Sequence, residues 1–373
     1  GYMKKFTYMA LVATMLMSLA SCNKVSLTGI LIGGSGTDDR VEMSIKYQEM
    51  LDTLEYNYRL YRFHYAYPDG SYSYLVGSDS NVTTDPGRLQ EMMQMCLDNN
   101  DLFCAHLGDI VDTKAEYYYG VKNLYNEYTT KYREALGFQQ MVDPETGGSY
   151  WTDEDGNIIG QSDLQSMEFP FYVTVGNHDV THNGWALFHD LFQSSFFQTY
   201  VIIKPSILEL FIEGFDWDTY TGPVVLDRHI FLDSANGTLG RLQVEAIEND
   251  QFLVDMKAAF PNNKVEVRNT FTYTHTNIFR PNSTEFASTY AREELYFLLN
   301  KFEEWDVNTA FLGHVHQWDD RYFGTVHYIT MDAMSSNNNP EPGDYLVRVN
   351  VGSQKDEVKL DRVRMNYVSK DKK

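Results

Sequence analysis

The sequence predicts an α/β fold built in layers, on three observations. Short apolar runs alternate with stretches of helical period over most of the chain. Five of those runs end on a polar residue able to bind metal, the position where strand ends in α/β sheets gather ligands. Hydrophobic residues make up 43% of 373, enough for a large core.

Gly1-Tyr2 stand ahead of the first methionine, and Met3-Lys4-Lys5 reads as the positive start of an export signal. Phe6 to Leu19 is apolar but short for a bilayer span. It ends in Leu19-Ala20-Ser21-Cys22, which resembles the lipobox of bacterial lipoproteins, small residues before a cysteine that becomes the acylated first residue. An ordinary signal peptide with a coincidental cysteine is the alternative. Residues 1–22 are thus expected to be processed, 23–45 to form a Gly/Ser/Thr/Asp-rich tether, and 46–373 to form one domain. The expected location is the cell envelope, periplasmic or outer surface, with membrane attachment only through a lipid on Cys22.

Arg40 to Tyr61 is weakly helical in pattern. The five runs are Ser73–Asp79, Leu102–Asp109, Phe171–Asn177, Val267–His275 and Thr309–His314. Helical stretches at Pro86–Asn99 and Ala287–Trp305 separate several of them. If the runs are strands of α/β sheets, their carboxyl ends converge on one edge and bring these side chains into one crevice. The Tyr-rich insertion at about 113–167 and the aromatic stretch Trp185–Trp217 are expected to overhang that edge as loops or a cap. Two alternating strands, Tyr345–Val351 and Val358–Tyr367, close the domain.

Cys96 and Cys104 lie in apolar contexts and read as free buried thiols. With 30 basic and 52 acidic residues the net charge is −22, which disfavours nucleic acid and anionic lipid headgroups as partners.

The candidate chemistry sits in Asp79 and Asn81, in Gly108-Asp109-Ile110-Val111-Asp112, in Gly176-Asn177-His178-Asp179, in His275, and in Gly313-His314-Val315-His316. Oxygen and imidazole donors without thiolate suit Mn, Fe, Zn or Ni in open coordination rather than a structural zinc. Glycines before Asp109, Asn177 and His314 are expected to permit sharp turns off the strands. Taken singly these residues read as turn, cap or core residues; together, at successive strand ends, they read as one site. His182, His189 and His229 read as structural, with His182 near enough to His178 to support it. Arg280 is either a phosphate partner or an exposed loop arginine.

GDxxD, GNHD, a lone strand-end His and GHxH, in this order, resemble the calcineurin-like metallophosphoesterases over about Tyr74 to Met334. The resemblance implies a β-sandwich flanked by helices with two divalent metal ions at its edge. Asp109 would bridge the metals, Asn177, His275 and His314 would complete one site, and Asp79 and His316, with Asn81 beside them, the other. His178 would act as general acid to the leaving oxygen or stabilise charge on the phosphoryl group, oriented by Asp112, while a water activated between the metals attacks phosphorus. The implied substrate is a small phosphate monoester or diester.

The family's first motif is normally Asp-x-His, and here it is Asp79-Ser80-Asn81. An amide oxygen can ligate but lacks the basicity of imidazole, so the Asp79 site is expected to be the weaker. Two alternatives stay open: a nucleotidase or nucleotide-sugar hydrolase whose aromatic cap stacks a base, and a binding lipoprotein weakened in turnover by Asn81.

Overall fold

The structure, a computed structural model, describes residues 61–181, 184–192, 195–203, 219–235 and 237–368. The export signal, Cys22, the tether, the pattern from Arg40 up to Tyr61, and His182 lie outside these residues.

Among the described residues, seven strands form one sheet and five another. The five-stranded sheet runs β14 (Val358–Met365), β13 (Gly343–Val351), β2 (Tyr72–Gly77), β3 (Cys104–His106), β6 (Phe171–Val173). The seven-stranded sheet runs β1 (Tyr61–Tyr65), β7 (Phe197–Ile203), β8 (Val224–Phe231), β9 (Val265–Thr274), β10 (Val307–Leu312), β12 (Val326–Thr330), β11 (Asp319–Phe323). All five expected runs are strands. β2, β3 and β6 are mutually parallel, as are β8, β9, β10 and β12, so their carboxyl ends share an edge.

Strand alternation builds the layers. Tyr74 and Val76 of β2 turn inward with Phe103, Ala105 and Tyr172 to meet Phe231, Phe271, Tyr273 and Phe311 of the facing sheet. Leu75, between them in sequence, faces the other way into a helical layer. Burial on both faces explains why these strands read as apolar runs.

Helices cover both outer faces. α1 (Gly87–Asp98) buries Leu89, Met92, Met93 and Cys96, and α2 (Tyr118–Ala135) buries Val121, Leu124, Tyr125 and Tyr128, each set at three- and four-residue spacing. Beyond α2 lie α3 (Gln161–Ser166) and α4 (Gly184–Phe192). On the opposite face α5 (Arg241–Glu248) and α6 (Phe252–Ala259) precede α7 (Arg292–Glu304), which buries Leu295, Leu298, Leu299 and Phe302. α7 starts at Arg292 rather than the expected Ala287, with Glu293 and Glu294 in its first turn, where acidic residues favour a helix start. No described helix is long and apolar enough to cross a membrane.

Two expectations are corrected. The Tyr-rich insertion is not a set of overhanging loops: its first part is the 18-residue helix α2, whose Tyr118, Tyr125 and Tyr128 are buried in the core. The following hairpin, β4 (Gln139–Val142) with β5 (Ser149–Thr152), and α3 after it stand largely exposed. As far as it is described, to Ile203, the stretch from Trp185 supplies α4 and then β7, a strand inside the larger sheet; the remainder to Trp217 lies outside the described residues. Tertiary packing claims these rings because an amphipathic helix or inner strand buries far more apolar area than a loop does. Cys96 and Cys104 are free and buried, and β13 and β14 pair antiparallel, as expected.

Candidate metal centre

The ends of β2, β3 and β6 carry Asp79, Asp109 and Asn177, and those of β9 and β10 carry His275, His314 and His316. Parallel pairing continues past the strands: the Asp79 amide donates to Gly108 O at 3.1 Å and the Asn81 amide to Asp109 O at 2.9 Å. Two groups of donor atoms form at this edge: Asp109 with His275 and His314, and Asp109 with Asp79 and His316. Asp109 belongs to both.

In the first group the His275 Nδ1 lies 2.7 Å from the Leu107 carbonyl, an acceptor only, so Nδ1 carries the proton. Its Nε2 lone pair then faces Asn177 Oδ1 at 3.0 Å, His314 Nδ1 at 3.2 Å and Asp109 Oδ2 at 3.5 Å. The lone pair of His275 beside a carboxylate and an amide oxygen suits a cation among them, and neutral imidazole with these oxygens is a fitting set for a divalent metal. Burial lowers the His275 pKa to about 3, keeping that ring neutral, and burial lowers His314 too.

In the second group His316 Nε2 lies 3.1 Å from Asp79 Oδ1, and this hydrogen bond raises the His316 pKa. Asp79 Oδ2 accepts the His314 amide at 3.1 Å and the Ser78 hydroxyl. Burial works against ionisation of Asp79, but the hydrogen bonds from His316 and Ser78, with the imidazoles beside it, hold it below the usual carboxylate range. Asp109 goes the other way: burial, then the charges of Asp79 and Asp179, push it well above. Asn81 is 8% exposed; its Nδ2 donates to Asp79 O at 3.2 Å, while its Oδ1 is buried with no hydrogen-bond partner among the described residues. Such an orphan acceptor beside two ligands also fits a cation.

His178 stands apart from both donor groups. Its amide donates to Asp109 Oδ1 at 2.7 Å, its Nδ1 meets Asp112 Oδ1 at 3.2 Å, and its Nε2 is 3.8 Å from Asp109 Oδ2. A ring held on one nitrogen by a carboxylate can present a proton from the other.

The backbone is shaped for this in a way the glycines do not show. Of the three motif glycines only Gly108, at φ +89°, has the left-handed turn. Gly176 is there for space, because a Cβ would come within 2.2 Å of the Asp109 amide. Five of the site residues themselves are left-handed: Asp79 (φ 53°), Asn81 (44°), Asp109 (51°), His314 (76°) and His316 (55°).

One organising residue had no role assigned from the sequence. Asp179 is fully buried and accepts the amides of Gly176 at 2.8 Å, Ile110 at 2.9 Å and Val111 at 3.3 Å, with the Tyr118 hydroxyl at 3.2 Å. It stitches the Asp109 loop to the Asn177 loop. The signal was its place as the last residue of Gly176-Asn177-His178-Asp179. Arg280 pairs with Glu285 at 2.9 Å on an exposed loop, and His229 is a core residue bonded to Tyr72 and Tyr273 hydroxyls.

The sequence profile of the calcineurin-like phosphoesterases matches residues 82–318. The chain belongs to that family. It is a metal-dependent phosphoesterase, a hydrolase whose described residues hold the two ligand groups above. The match takes in every motif from Asp109 to His316 and begins just past Asn81, where the chain departs from the family's first motif. No curated protein matches the chain by sequence. Among solved structures it is similar to GAP50, the anchor in the inner membrane complex of Plasmodium (11% identity, 80% of this chain and 90% of that one, TM-score 0.42). It is also similar to a dimetal phosphatase from Danio rerio (9%, 78% and 98%, TM-score 0.36) and to TT1561 of Thermus thermophilus (7%, 78% and 98%, TM-score 0.37).

Proposed function

We propose that this phosphoesterase hydrolyses a small phosphate monoester or diester outside the cytoplasm, held at a membrane by a lipid on Cys22. The observation that carries the chemistry is Asp109, shared by both donor groups and bonded to the His178 amide. Asn177, His275 and His314 would hold one divalent ion, Asp79 and His316 the other, and Asp109 both. Bound there, the ions supply Lewis-acid stabilisation of phosphate oxygens and a lowered pKa for water.

The chain's own residues do the rest. The His178 ring is 22% exposed, reachable by substrate, and delivers a proton to the departing oxygen from Nε2. Asp112 orients the ring by accepting the Nδ1–H hydrogen bond, so that the protonated imidazole gives up its Nε2 proton and keeps the one on Nδ1. Left-handed turns at Asp79 and Asp109 hold both carboxylates at the edge before substrate arrives. The net charge of −22 supports a small substrate over a polyanion. Of the aromatic cap expected to stack a base, Tyr118, Tyr125 and Tyr128 are engaged in packing and lend the nucleotide reading no support, while Tyr119 stands exposed.

Metal-stripped protein re-supplied with Mn and assayed on an aryl phosphate, then on a panel of phosphorylated metabolites, tests the chemistry. No turnover with two ions bound would leave the binding-lipoprotein reading in its place. Fractionation of Cys22→Ser tests the location: the variant should leave the membrane, and its retention would remove the lipid anchor.

A further inference from the structure

Arg88, on α1, is 4% exposed, and its guanidinium is spent on main-chain carbonyls. Nε donates to Tyr367 O at 3.0 Å, Nη1 to Met334 O at 3.1 Å, and Nη2 to Asn339 O at 2.7 Å and Glu341 O at 3.1 Å. The Tyr345 ring packs on the guanidinium with its centroid 4.9 Å away. A buried cation satisfied by carbonyl dipoles fixes the path of the chain that carries them, and three of these four carbonyls belong to the loop from Met334 to Glu341.

That loop reaches the second donor group. The Met334 amide donates to Ser78 O at 2.9 Å and the Ser335 amide to Asp79 O at 3.0 Å, tying down the segment in which Asp79 takes its left-handed conformation. In the first group a rigid strand end, through Leu107 O, orients His275. In the second group the carboxylate segment is held from a loop.

We infer that Arg88 is a positioning residue for the Asp79–His316 half of the centre: it locks the Met334–Glu341 loop, whose Met334 and Ser335 amides hold the Ser78 and Asp79 carbonyls. The inference rests on the reading of Asp79 and His316 as metal ligands. Groups that orient metal ligands are worth about 10–100-fold in affinity, and losing this one should act on one ion only.

Calorimetric titration of the metal-free protein with Mn alone tests it, in the parent, Arg88→Lys and Asn339→Ala. A lysine cannot span the four carbonyls, and Asn339 closes the same loop by donating from Nδ2 to Ala333 O at 2.6 Å. Both variants should weaken the looser binding step by about 10–100-fold and leave the tighter one alone. Should Arg88→Lys fail to fold, Asn339→Ala decides. Two unchanged steps, or equal weakening of both, overturns the inference while leaving the metal reading intact. A parent that takes up one ion only overturns the ligand reading and the inference with it.

Discussion

The His178 amide donates to Asp109 Oδ1 at 2.7 Å, so the residue placed to protonate the leaving oxygen is built onto the carboxylate shared by both donor groups. A shift of one moves the other, and substitutions at the two positions should separate binding from chemistry.

Asp109→Asn should abolish hydrolysis and lower the metal content at both sites, since a neutral amide cannot bridge two cations as a carboxylate does. Elemental analysis beside an activity assay reads this. Full metal and full turnover in the variant would remove the two-ion reading.

His178→Ala should reduce turnover by about 10²–10⁴-fold with metal content unchanged, because the ring is absent from both donor groups. Asp112→Asn should fall between the parent and that variant, through loss of the tautomer it enforces. Metal lost together with His178 would make it a ligand.

Asn81→His should tighten the Asp79–His316 site and reduce any need for added Mn or Mg, leaving the Asn177–His275–His314 site unaffected. His is among the few residues that accept the left-handed backbone at Asn81, so the exchange should not disturb the turn. Two equally tight sites in the parent, seen by calorimetry, would mean that another ligand already fills this place.

Asp179→Ala would leave the Gly176, Ile110 and Val111 amides without their acceptor. A stability loss of about 3 kcal/mol or more is expected, since each buried unsatisfied donor costs about 1–3 kcal/mol. Denaturant unfolding of metal-free protein measures it, and a loss below about 1 kcal/mol would mean that these amides find other partners.

Acid should destabilise the protein through its buried histidines. Burial lowers His106 from 6.5 to about 4 and His229 well below 6.5. The unfolded chain therefore binds protons that the folded one refuses, and the stability these neutral rings confer is complete above about pH 6.5 and lost as pH falls toward 4. His229→Gln should flatten the slope over that window by up to about 1.4 kcal/mol per pH unit. An unchanged slope would show that His229 is protonated alike in both states.

The five strand-end motifs could be read from the sequence because each joins an apolar run, buried on both faces, to a ligand at its carboxyl end. The three-four spacing of Leu89, Met92, Met93 and Cys96 likewise announces α1. The strands β7 and β8 escaped notice because no functional residue marks their ends, and Tyr-rich α2 looked like a surface feature until packing turned its rings inward. Asp179 was visible as a letter of a motif, but three amides from two distant loops can be assigned to one carboxylate only in three dimensions. The four carbonyls around Arg88 leave no trace in sequence at all, since any residue offers a carbonyl.

Asp79, Asp109 and Asn177 hang from the smaller sheet, and His275, His314 and His316 from the larger. An ion held by such a mixed set spans the seam of the sandwich and has to be surrendered before the layers can part. Occupancy then shifts the folding equilibrium by mass action. The survival of this protein against heat and proteases becomes a gauge of the free metal in its surroundings, and scarcity would clear idle molecules first.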